Sequence, residues 1–229
     1  MTEPVSILGS PSRRGYVLRR LHSLTGVAPL GFFLVEHLYT NAHALEGQRS
    51  FIEAVAQIQK IPFLPLVETA GIFLPLLFHS LYGILLAFRG KPNALQYSYA
   101  KNWMYVLQRV TGVIAFVFIA VHLYEFRLQK AIAGMAHESF YDVLSAHLSW
   151  TMWGVPWIAF FYLIGIASVV FHFANGLVGF SMSWGIAITR KAQQRVAWLA
   201  AALGIGLFVL GAAIVTAFAT GTTFGFPQT

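Results

Sequence analysis

Five long apolar stretches constrain the fold of this chain more than any other feature. They cover residues 21–40, 64–88, 104–126, 152–180 and 196–220, and a helix needs about 20 residues to cross the hydrocarbon core of a bilayer. Only 10% of the 229 residues are charged, against roughly a quarter in soluble domains. The sequence therefore predicts an all-α integral membrane protein in which residues 1–229 form a single transmembrane domain.

The basic residues predict how the chain is oriented in the membrane. Eleven of the 15 Lys and Arg residues precede the first stretch, lie between the second and third or just inside the third, or separate the fourth and fifth. The other four are Arg49, Lys60, Arg127 and Lys130. Positively charged segments tend to stay on the cytoplasmic side, so we expect residues 1–20 to be a cytoplasmic arm and the C-terminus to lie outside. The net charge of +7 is explained by these segments, and we predict no nucleic-acid partner.

Four of the eight histidines lie inside the apolar stretches, one in each of the first four: His37, His79, His122 and His172. The others lie at edges or in connectors: His22, His43, His137 and His147. An ionisable side chain within a membrane is costly and usually faces the bundle interior for a functional reason. A single one is often explained by a hydrogen bond between helices, but four in successive helices favour a common cofactor role.

The depth of these histidines predicts two pairs. At 1.5 Å per residue, His37 and His122 each lie roughly 22 Å along helices that start on the cytoplasmic side. His79 and His172 come late in helices that run the other way, so the two levels differ by about 10 Å. Two opposed imidazoles at each level are the protein ligands of a six-coordinate haem. We therefore expect helices I–IV to form a haem-binding four-helix bundle, with helix V peripheral.

A weak internal repeat supports this pairing. Helices I and III both contain Thr-Gly, about ten residues, then His-Leu-Tyr, whereas helices II and IV both contain Phe-His-x-x-x-Gly. The final glycines, Gly83 and Gly176, share a helix face with the histidines and are predicted to let a porphyrin approach closely. Ordinary helix packing on glycine is the alternative.

Several segments resemble the diheme cytochrome b membrane anchors of succinate dehydrogenases and fumarate reductases, most closely the single-subunit Bacillus type. The resemblance covers Tyr16 to about Ala192 and is carried by RRLHSLTGV, VEHLYTNA, PLLFHSLYG, QYSYAKNWMYVLQRVTGV, VHLYEFR and FHFANGL. It implies two haem b groups, a proximal one bound by His79 and His172 and a distal one bound by His37 and His122.

The resemblance also implies partners and a place in the cell. A flavoprotein subunit and an iron–sulfur subunit would dock on the cytoplasmic face of a multi-pass protein of the bacterial inner (cytoplasmic) membrane. Electrons would pass through both haems to menaquinone or another quinone, or in reverse during fumarate reduction. Some menaquinol-oxidising fumarate reductases carry a glutamate where this chain has Val170, and this departure favours succinate oxidation. We expect no dehydrogenase activity from the chain alone, because it lacks a flavin-binding fingerprint.

Acidic and basic residues near the helix ends are candidates for the remaining chemistry. Glu68 is our first candidate for proton exchange with quinone, although an acid favoured at a helix N-terminus is the simpler explanation. The other candidates at that end are Glu53, Tyr39, Asn41 and His43. Arg20 and Arg109, with Arg19 and His22, are predicted to neutralise propionates of the proximal haem, to contact the iron–sulfur subunit, or only to set the topology.

Two further expectations concern the connectors and the function class. Phe51, Ile52, Val55 and Ile58 share one helical face, which predicts a surface helix that covers the quinone pocket. The alternative functions are a small transporter whose buried histidines relay protons, a cytochrome b of another enzyme such as a hydrogenase or formate dehydrogenase, and an anchor that has lost its haems. The absence of cysteine excludes disulfides and Cys-bound clusters in this chain.

Overall fold

A computed structural model describes residues 13–128, 132, 134 and 139–223. The predicted arm up to residue 12, together with Lys130, His137 and Glu138, lies outside the described residues. The helices are α1 (Arg13–Val27), α2 (Pro29–Ala42), α3 (Gln48–Gln59), α4 (Leu64–Glu68), α5 (Leu74–Arg89), α6 (Ala100–Leu123), α7 (Phe140–Ser149), α8 (Trp157–Ser183) and α9 (Arg190–Thr220). The all-α prediction is therefore confirmed.

Within the described residues, four helical segments are long and apolar enough to span a membrane: Leu64–Arg89, Ala100–Leu128, Trp157–Ser183 and Arg190–Thr220. They correspond to the last four predicted stretches. The first stretch, 21–40, is divided between α1 and α2, because Pro29 has no N–H to continue the helix. The Ala28 N–H donates to the Leu24 carbonyl (2.8 Å) and the Phe32 N–H to the Ala28 carbonyl (3.2 Å), so the two helices follow one another directly.

The start of the fourth stretch differs from the prediction. The sequence predicted a helix from residue 152, but α8 begins at Trp157. Met152 and Val155 exchange two backbone hydrogen bonds of 3.1 Å around Trp153 and Gly154, which both have positive φ. The turn is followed by Pro156, which disfavours helical geometry in the residue before it. The helix is therefore shorter than expected at this end.

Four helical units build a closed ring: the α1–α2 unit, α5, α6 and α8. The α1–α2 unit contacts α5, α5 contacts α6, α6 contacts α8, and α8 returns to α1. The α1–α2 unit (predicted helix I) and α6 (helix III) are thus diagonally opposite, as are α5 (helix II) and α8 (helix IV). Helix α9 packs on the outside of α8, where Gly204 lies against Ala174 and Gly211 against Ile166, as small residues allow in membrane bundles.

One end of the ring contains two π-helical turns, Thr69–Phe73 and Tyr124–Leu128, and we call it the π-turn end. In the first turn the Leu74 N–H donates to the Thr69 carbonyl, five residues earlier, directly before Pro75, which cannot donate. Turns of this type often occur at functional sites.

Helix α3 lies at the π-turn end and packs through its apolar face, while its role as a cover of a quinone pocket stays a prediction. Phe51 is 3% exposed and its ring packs on those of Tyr141 (5.8 Å between centroids) and Phe218 (5.4 Å). The opposite end carries Arg13, Arg14, Arg19, Arg20, Arg109 and Arg190, and we call it the arginine end.

Candidate functional site

A single cavity of about 2350 Å³ runs through the ring of helices. A pocket for one small molecule usually measures about 300–1,000 Å³, so this space is large enough for more than one ligand. It is lined by the four histidines of the apolar stretches and by five other candidate residues: Arg20, Glu68, Gly83, Arg109 and Gly176. The fold therefore brings these nine residues to one interior surface, whereas the candidates Tyr39, His43 and Glu53 do not line it.

His79 and His172 face one another across the cavity towards the arginine end. Their ring centroids are 6.1 Å apart and the rings are perpendicular, at 90°. His79 Nδ1 lies 2.9 Å from the His22 carbonyl and His172 Nδ1 lies 3.0 Å from the Gln108 carbonyl. A carbonyl only accepts hydrogen bonds, so Nδ1 carries the proton in both rings and Nε2 keeps a free lone pair for a metal.

Two glycines make room for these imidazoles. A Cβ atom at Gly26 would lie 2.4 Å from His79 Cε1, and one at Gly112 would lie 2.9 Å from His172 Cε1. Each glycine comes four residues after the residue whose carbonyl the histidine binds. The glycine of each Thr-Gly element thus has a structural role: it lets the imidazole ring lie directly on the neighbouring helix.

His37 and His122 form a second pair towards the π-turn end. Their centroids are 5.8 Å apart with an interplanar angle of 79°. His122 Nδ1 lies 3.3 Å from the Tyr162 hydroxyl, which donates to Glu125 Oε2 at 3.0 Å. His147 Nε2 lies 3.3 Å from the other oxygen of that carboxylate. From the sequence, His147 is expected only in a connector, and no signal marks Tyr162.

The two pairs match the spacing that a haem requires. Two metal–imidazole bonds of about 2 Å, with about 1 Å from each nitrogen to its ring centre, separate the centres by about 6 Å. The observed separations are 6.1 and 5.8 Å. Among the described residues, no group of three or more His, Cys, Asp or Glu side chains is placed to hold a bare metal ion. The donor set fits haem, to which the protein supplies two axial nitrogens.

His22 lies deeper than the sequence predicted. Its ring stacks on His79 with centroids 4.1 Å apart and an angle of 7°. A Cβ at Gly83 would lie 2.9 Å from His22 Nε2, whereas the nearest atom to a Cβ at Gly176 is Gln108 Nε2 at 3.6 Å. Gly83 thus makes room for His22, and the approach of a porphyrin to Gly83 and Gly176 stays a prediction.

The two arginine candidates line the cavity through aromatic contacts. The Arg20 guanidinium lies 4.8 Å from the Trp184 ring centroid, and its Nε donates to the Tyr16 hydroxyl at 3.0 Å. The Arg109 guanidinium lies 3.4 Å from the Tyr105 ring centroid. Arg109 Nη1 donates to the Tyr105 carbonyl at 3.0 Å, whereas Nε is buried against Gly90 and has no hydrogen-bond partner among the described residues.

The acidic candidates at the π-turn end differ in burial. Glu68 Oε2 lies 2.5 Å from Arg127 Nη2, and the Glu68 side chain is 23% exposed. Glu53 pairs with Arg49 at 2.9 Å on the surface, where these side chains are 63% and 82% exposed. Only Glu68 of these two carboxylates lines the cavity, and the structure therefore favours it over Glu53.

The polar residues after His37 are placed less centrally. Asn41 Nδ2 donates to the His37 carbonyl at 2.7 Å, and Tyr39 is 65% exposed. His43 Nδ1 lies 3.1 Å from the Ser50 hydroxyl. That hydroxyl donates to Glu46 at 2.6 Å and lowers the pKa of the Glu46 carboxyl. Of these residues, Asn41 lines the cavity.

Comparison with known proteins decides the family. The pattern of the succinate dehydrogenase/fumarate reductase transmembrane subunit family matches residues 90–221. The succinate dehydrogenase cytochrome b558 subunit of Bacillus subtilis (strain 168) is 40% identical over 205 residues, which cover 90% of this chain and 98% of that protein. The chain belongs to the succinate dehydrogenase/fumarate reductase transmembrane subunit family. Membership confirms the resemblance to Bacillus-type anchors and makes the chain a membrane subunit of an oxidoreductase complex.

Proposed function

We propose that this chain is the diheme cytochrome b of a succinate:quinone oxidoreductase. It binds one haem b between His79 and His172 and a second between His37 and His122. It anchors a flavoprotein and an iron–sulfur subunit and carries their electrons across the membrane to menaquinone. The physiological direction that we propose is succinate oxidation.

The observation that carries this proposal is the pair of diagonal histidine contacts in one continuous cavity. Both separations suit axial ligation, and three of the four rings have Nδ1 held by a partner. Such partners fix the tautomer so that Nε2 faces the metal. A haem bound at each level supplies a site that accepts and donates one electron.

The arginine end suits the docking of the catalytic subunits. Arg19, Arg20, Lys101 and Arg190 line the cavity opening there. Complementary charge guides and orients a partner during association, so an acidic surface on the iron–sulfur subunit would fit this end. Docking there would place the electron donor beside the His79–His172 level. The positive-inside rule assigns the arginine end to the cytoplasm.

The π-turn end suits quinone. The cavity is mostly apolar, and there it is lined by Glu68, Arg127 and Asn41. A quinone site needs apolar walls, hydrogen-bond partners for the carbonyl oxygens and a group that exchanges protons. We propose that Arg127 donates a hydrogen bond to a quinone carbonyl oxygen and that Glu68 exchanges protons with the quinone. The contact between Glu68 and Arg127 keeps the two groups side by side.

The proposed direction rests on helix α8 and on the placement of the two ends. Helix α8 contains no Asp or Glu, and Val170 occupies the position of the proton-carrying glutamate of some fumarate reductases. Electrons would then move outwards without a compensating proton. Moving one charge across 100 mV changes the free energy by about 2.3 kcal/mol, and outward electron movement is favoured by a potential that is negative inside. An uncoupler should therefore slow succinate:menaquinone activity in intact membranes, and activity independent of the potential would contradict this direction.

The diheme assignment is tested by redox titration of the complete complex in membranes. Wild type should show two one-electron b-type components in reduced-minus-oxidised spectra. His79→Ala should lose one component and His37→Ala the other, while His43→Ala, whose side chain bonds Ser50 outside the cavity, should retain both. A wild-type complex without Soret absorbance would overturn the cytochrome assignment in favour of a proton-relay transporter.

A further inference from the structure

Tyr162 and Glu125 connect His122 to the rim of the π-turn end, where His147 lies beside the carboxylate. Tyr162 is on α8, 5% exposed, with its hydroxyl 3.3 Å from His122 Nδ1 and 3.0 Å from Glu125 Oε2. Glu125 lies in the π-helical turn after α6, and its side chain is 24% exposed. His147, on α7, is 3.3 Å from Glu125 Oε1 and 30% exposed. The sequence gives no motif for this cluster, because its members lie on three different elements.

The Glu125 carboxylate determines where the protons of Tyr162 and His122 lie. An ionised carboxylate only accepts hydrogen bonds, so the Tyr162 hydroxyl must donate its single proton to Glu125. The hydroxyl oxygen can then only accept from His122, which places the His122 proton on Nδ1. Nε2 is left unprotonated, as a metal ligand must be. Glu125 thus determines the tautomer of His122 through Tyr162.

Packing keeps Tyr162 in this position. Its ring meets Phe118 edge-on, with centroids 5.2 Å apart at 88°, and Phe126 at 6.4 Å. Phe118 is 7% exposed and stacks on His122 at 5.8 Å. The hydroxyl is therefore aimed by a buried aromatic cluster, and removing it alone leaves that packing in place.

We propose that Tyr162 and Glu125 are positioning residues for His122, which orient its ring, fix its tautomer and strengthen its electron donation to the metal. This inference rests on the proposed function, because it assumes that His122 is an axial ligand. A hydrogen bond that ends on a carboxylate raises the basicity of an imidazole ligand. Stronger donation stabilises the ferric state over the ferrous state and lowers the reduction potential of the haem at this level.

Among the described residues, the His79–His172 level lacks such a carboxylate, so we expect the effect on reduction potential at the His37–His122 level only. At the His79–His172 level the ligand rings donate to backbone carbonyls. His122 instead donates to a hydroxyl that is itself polarised by its charge-assisted hydrogen bond to the Glu125 carboxylate. Outer partners of metal ligands commonly change metal affinity 10- to 100-fold when removed. If loss of the Tyr162 hydroxyl lowers the ratio of ferric to ferrous affinity tenfold, the potential rises by about 59 mV for one electron.

The test is a redox titration of the complete complex carrying Tyr162→Phe, Glu125→Gln or the control Tyr141→Phe. Tyr141 also packs in an aromatic cluster at the π-turn end, against Phe51 and Phe218, but makes no contact with His122. Tyr162→Phe should raise the potential of the His37–His122 component, and Glu125→Gln should raise it less, because an amide oxygen still accepts the Tyr162 proton. The His79–His172 component is the internal reference and should stay constant. The electron paramagnetic resonance of the ferric state should change at the same level only, because it reports ligand orientation.

The outcomes separate this inference from the function on which it rests. A wild-type complex without two b-type components would overturn the function itself. Two intact components with an unchanged potential in Tyr162→Phe would overturn the positioning role alone, as would an equal shift in Tyr141→Phe. If Tyr162→Phe does not accumulate, Glu125→Gln decides, since it keeps every aromatic contact.

Discussion

The two histidine levels of the bundle are built in different ways. At the His79–His172 level both Nδ1 atoms bond backbone carbonyls of the neighbouring helices, and glycines let the rings approach. At the His37–His122 level the ring of His122 bonds a side-chain chain that ends on a carboxylate. Among the described residues, no hydrogen-bond partner contacts the ring of His37.

This difference determines what substitution can change at each level. A backbone carbonyl is present whatever residue carries it, so the His79–His172 level depends on helix spacing and on the absence of two Cβ atoms. The His37–His122 level depends on the identity of side chains, and its electrostatics can be altered by one residue. We infer that packing positions the histidines at the His79–His172 level, whereas side-chain hydrogen bonds position His122 at the His37–His122 level. Four substitutions probe the two levels and their surroundings.

The largest effect is expected from Gly26→Ala. The new Cβ would lie 2.4 Å from His79 Cε1, so the imidazole or the helix must move. A displaced ligand should lower haem retention at this level 10- to 100-fold, which would also stop electron transfer through the subunit. Haem content per complex and the reduced-minus-oxidised spectrum measure the loss.

Gly206→Ala is the matched control for this change. A Cβ at Gly206 meets nothing within 4 Å, and alanine is more favourable than glycine in a helix by about 1 kcal/mol. Haem content should stay at the wild-type value. Full haem retention in Gly26→Ala would show that the His79–His172 level is not limited by packing.

The next effect in size is expected from Glu68→Gln at the π-turn end. The amide keeps the shape of the side chain but cannot exchange a proton with quinone as a carboxylate can. General acid–base groups contribute about 10²- to 10⁴-fold to a rate, and we expect about a 100-fold loss of succinate:quinone activity. Both haem components should remain, because Glu68 contacts Arg127 and neither histidine pair. Unchanged quinone reduction would remove Glu68 from the proposed site.

The sequence could single out the four proposed ligands because each is a histidine surrounded by apolar residues in its own helix. His37, His79, His122 and His172 stand out for that reason, and helix direction sorts them into the pairs that the structure places 5.8 and 6.1 Å apart. Each apolar stretch overlaps helices of the structure, but hydropathy did not determine their bounds. Helices α1, α6 and α9 begin at Arg13, Ala100 and Arg190, before the corresponding stretches. At Pro29 and before Trp157, local backbone chemistry interrupts a helix within an apolar run.

The surroundings of the ligands could not be predicted in the same way. Tyr162 lies in the run Phe-Phe-Tyr-Leu, where an aromatic residue gives no polar signal, and its partner is 37 positions away. The π-helical turn that contains Glu125 changes the direction of that side chain without any mark in composition. Gly26 and Gly112 were visible as a repeat, but their role depends on which helix packs on them.

A smaller effect is expected from Gln108→Leu at the His79–His172 level. Gln108 Nε2 donates to the His172 carbonyl at 3.1 Å, and Gln108 Oε1 accepts from Asn175 at 2.7 Å. Each bond contributes about 0.5–1.5 kcal/mol, so losing both should destabilise the subunit by about 1–3 kcal/mol, seen as a lower melting temperature of the complex. The exposed Gln194→Leu serves as the control. The potential of the His79–His172 component should stay constant, because the residue-108 carbonyl that binds His172 remains. A shift of about 59 mV in that component would contradict the inference that backbone carbonyls determine the properties of this level.

The smallest effect is expected from Glu53→Gln, which tests whether any charge at the π-turn end tunes the His37–His122 level. Glu53 and Arg49 form a pair of 2.9 Å with side chains 63% and 82% exposed, and exposed pairs contribute about 0–1 kcal/mol. Water and salt screen such a charge beyond about 10 Å, whereas Glu125 acts through a hydrogen bond to a buried hydroxyl. Melting temperature, quinone activity and both potentials should therefore match wild type within error. A potential shift as large as that of Glu125→Gln would mean that general electrostatics at this end, and not the path through Tyr162, sets the properties of His122.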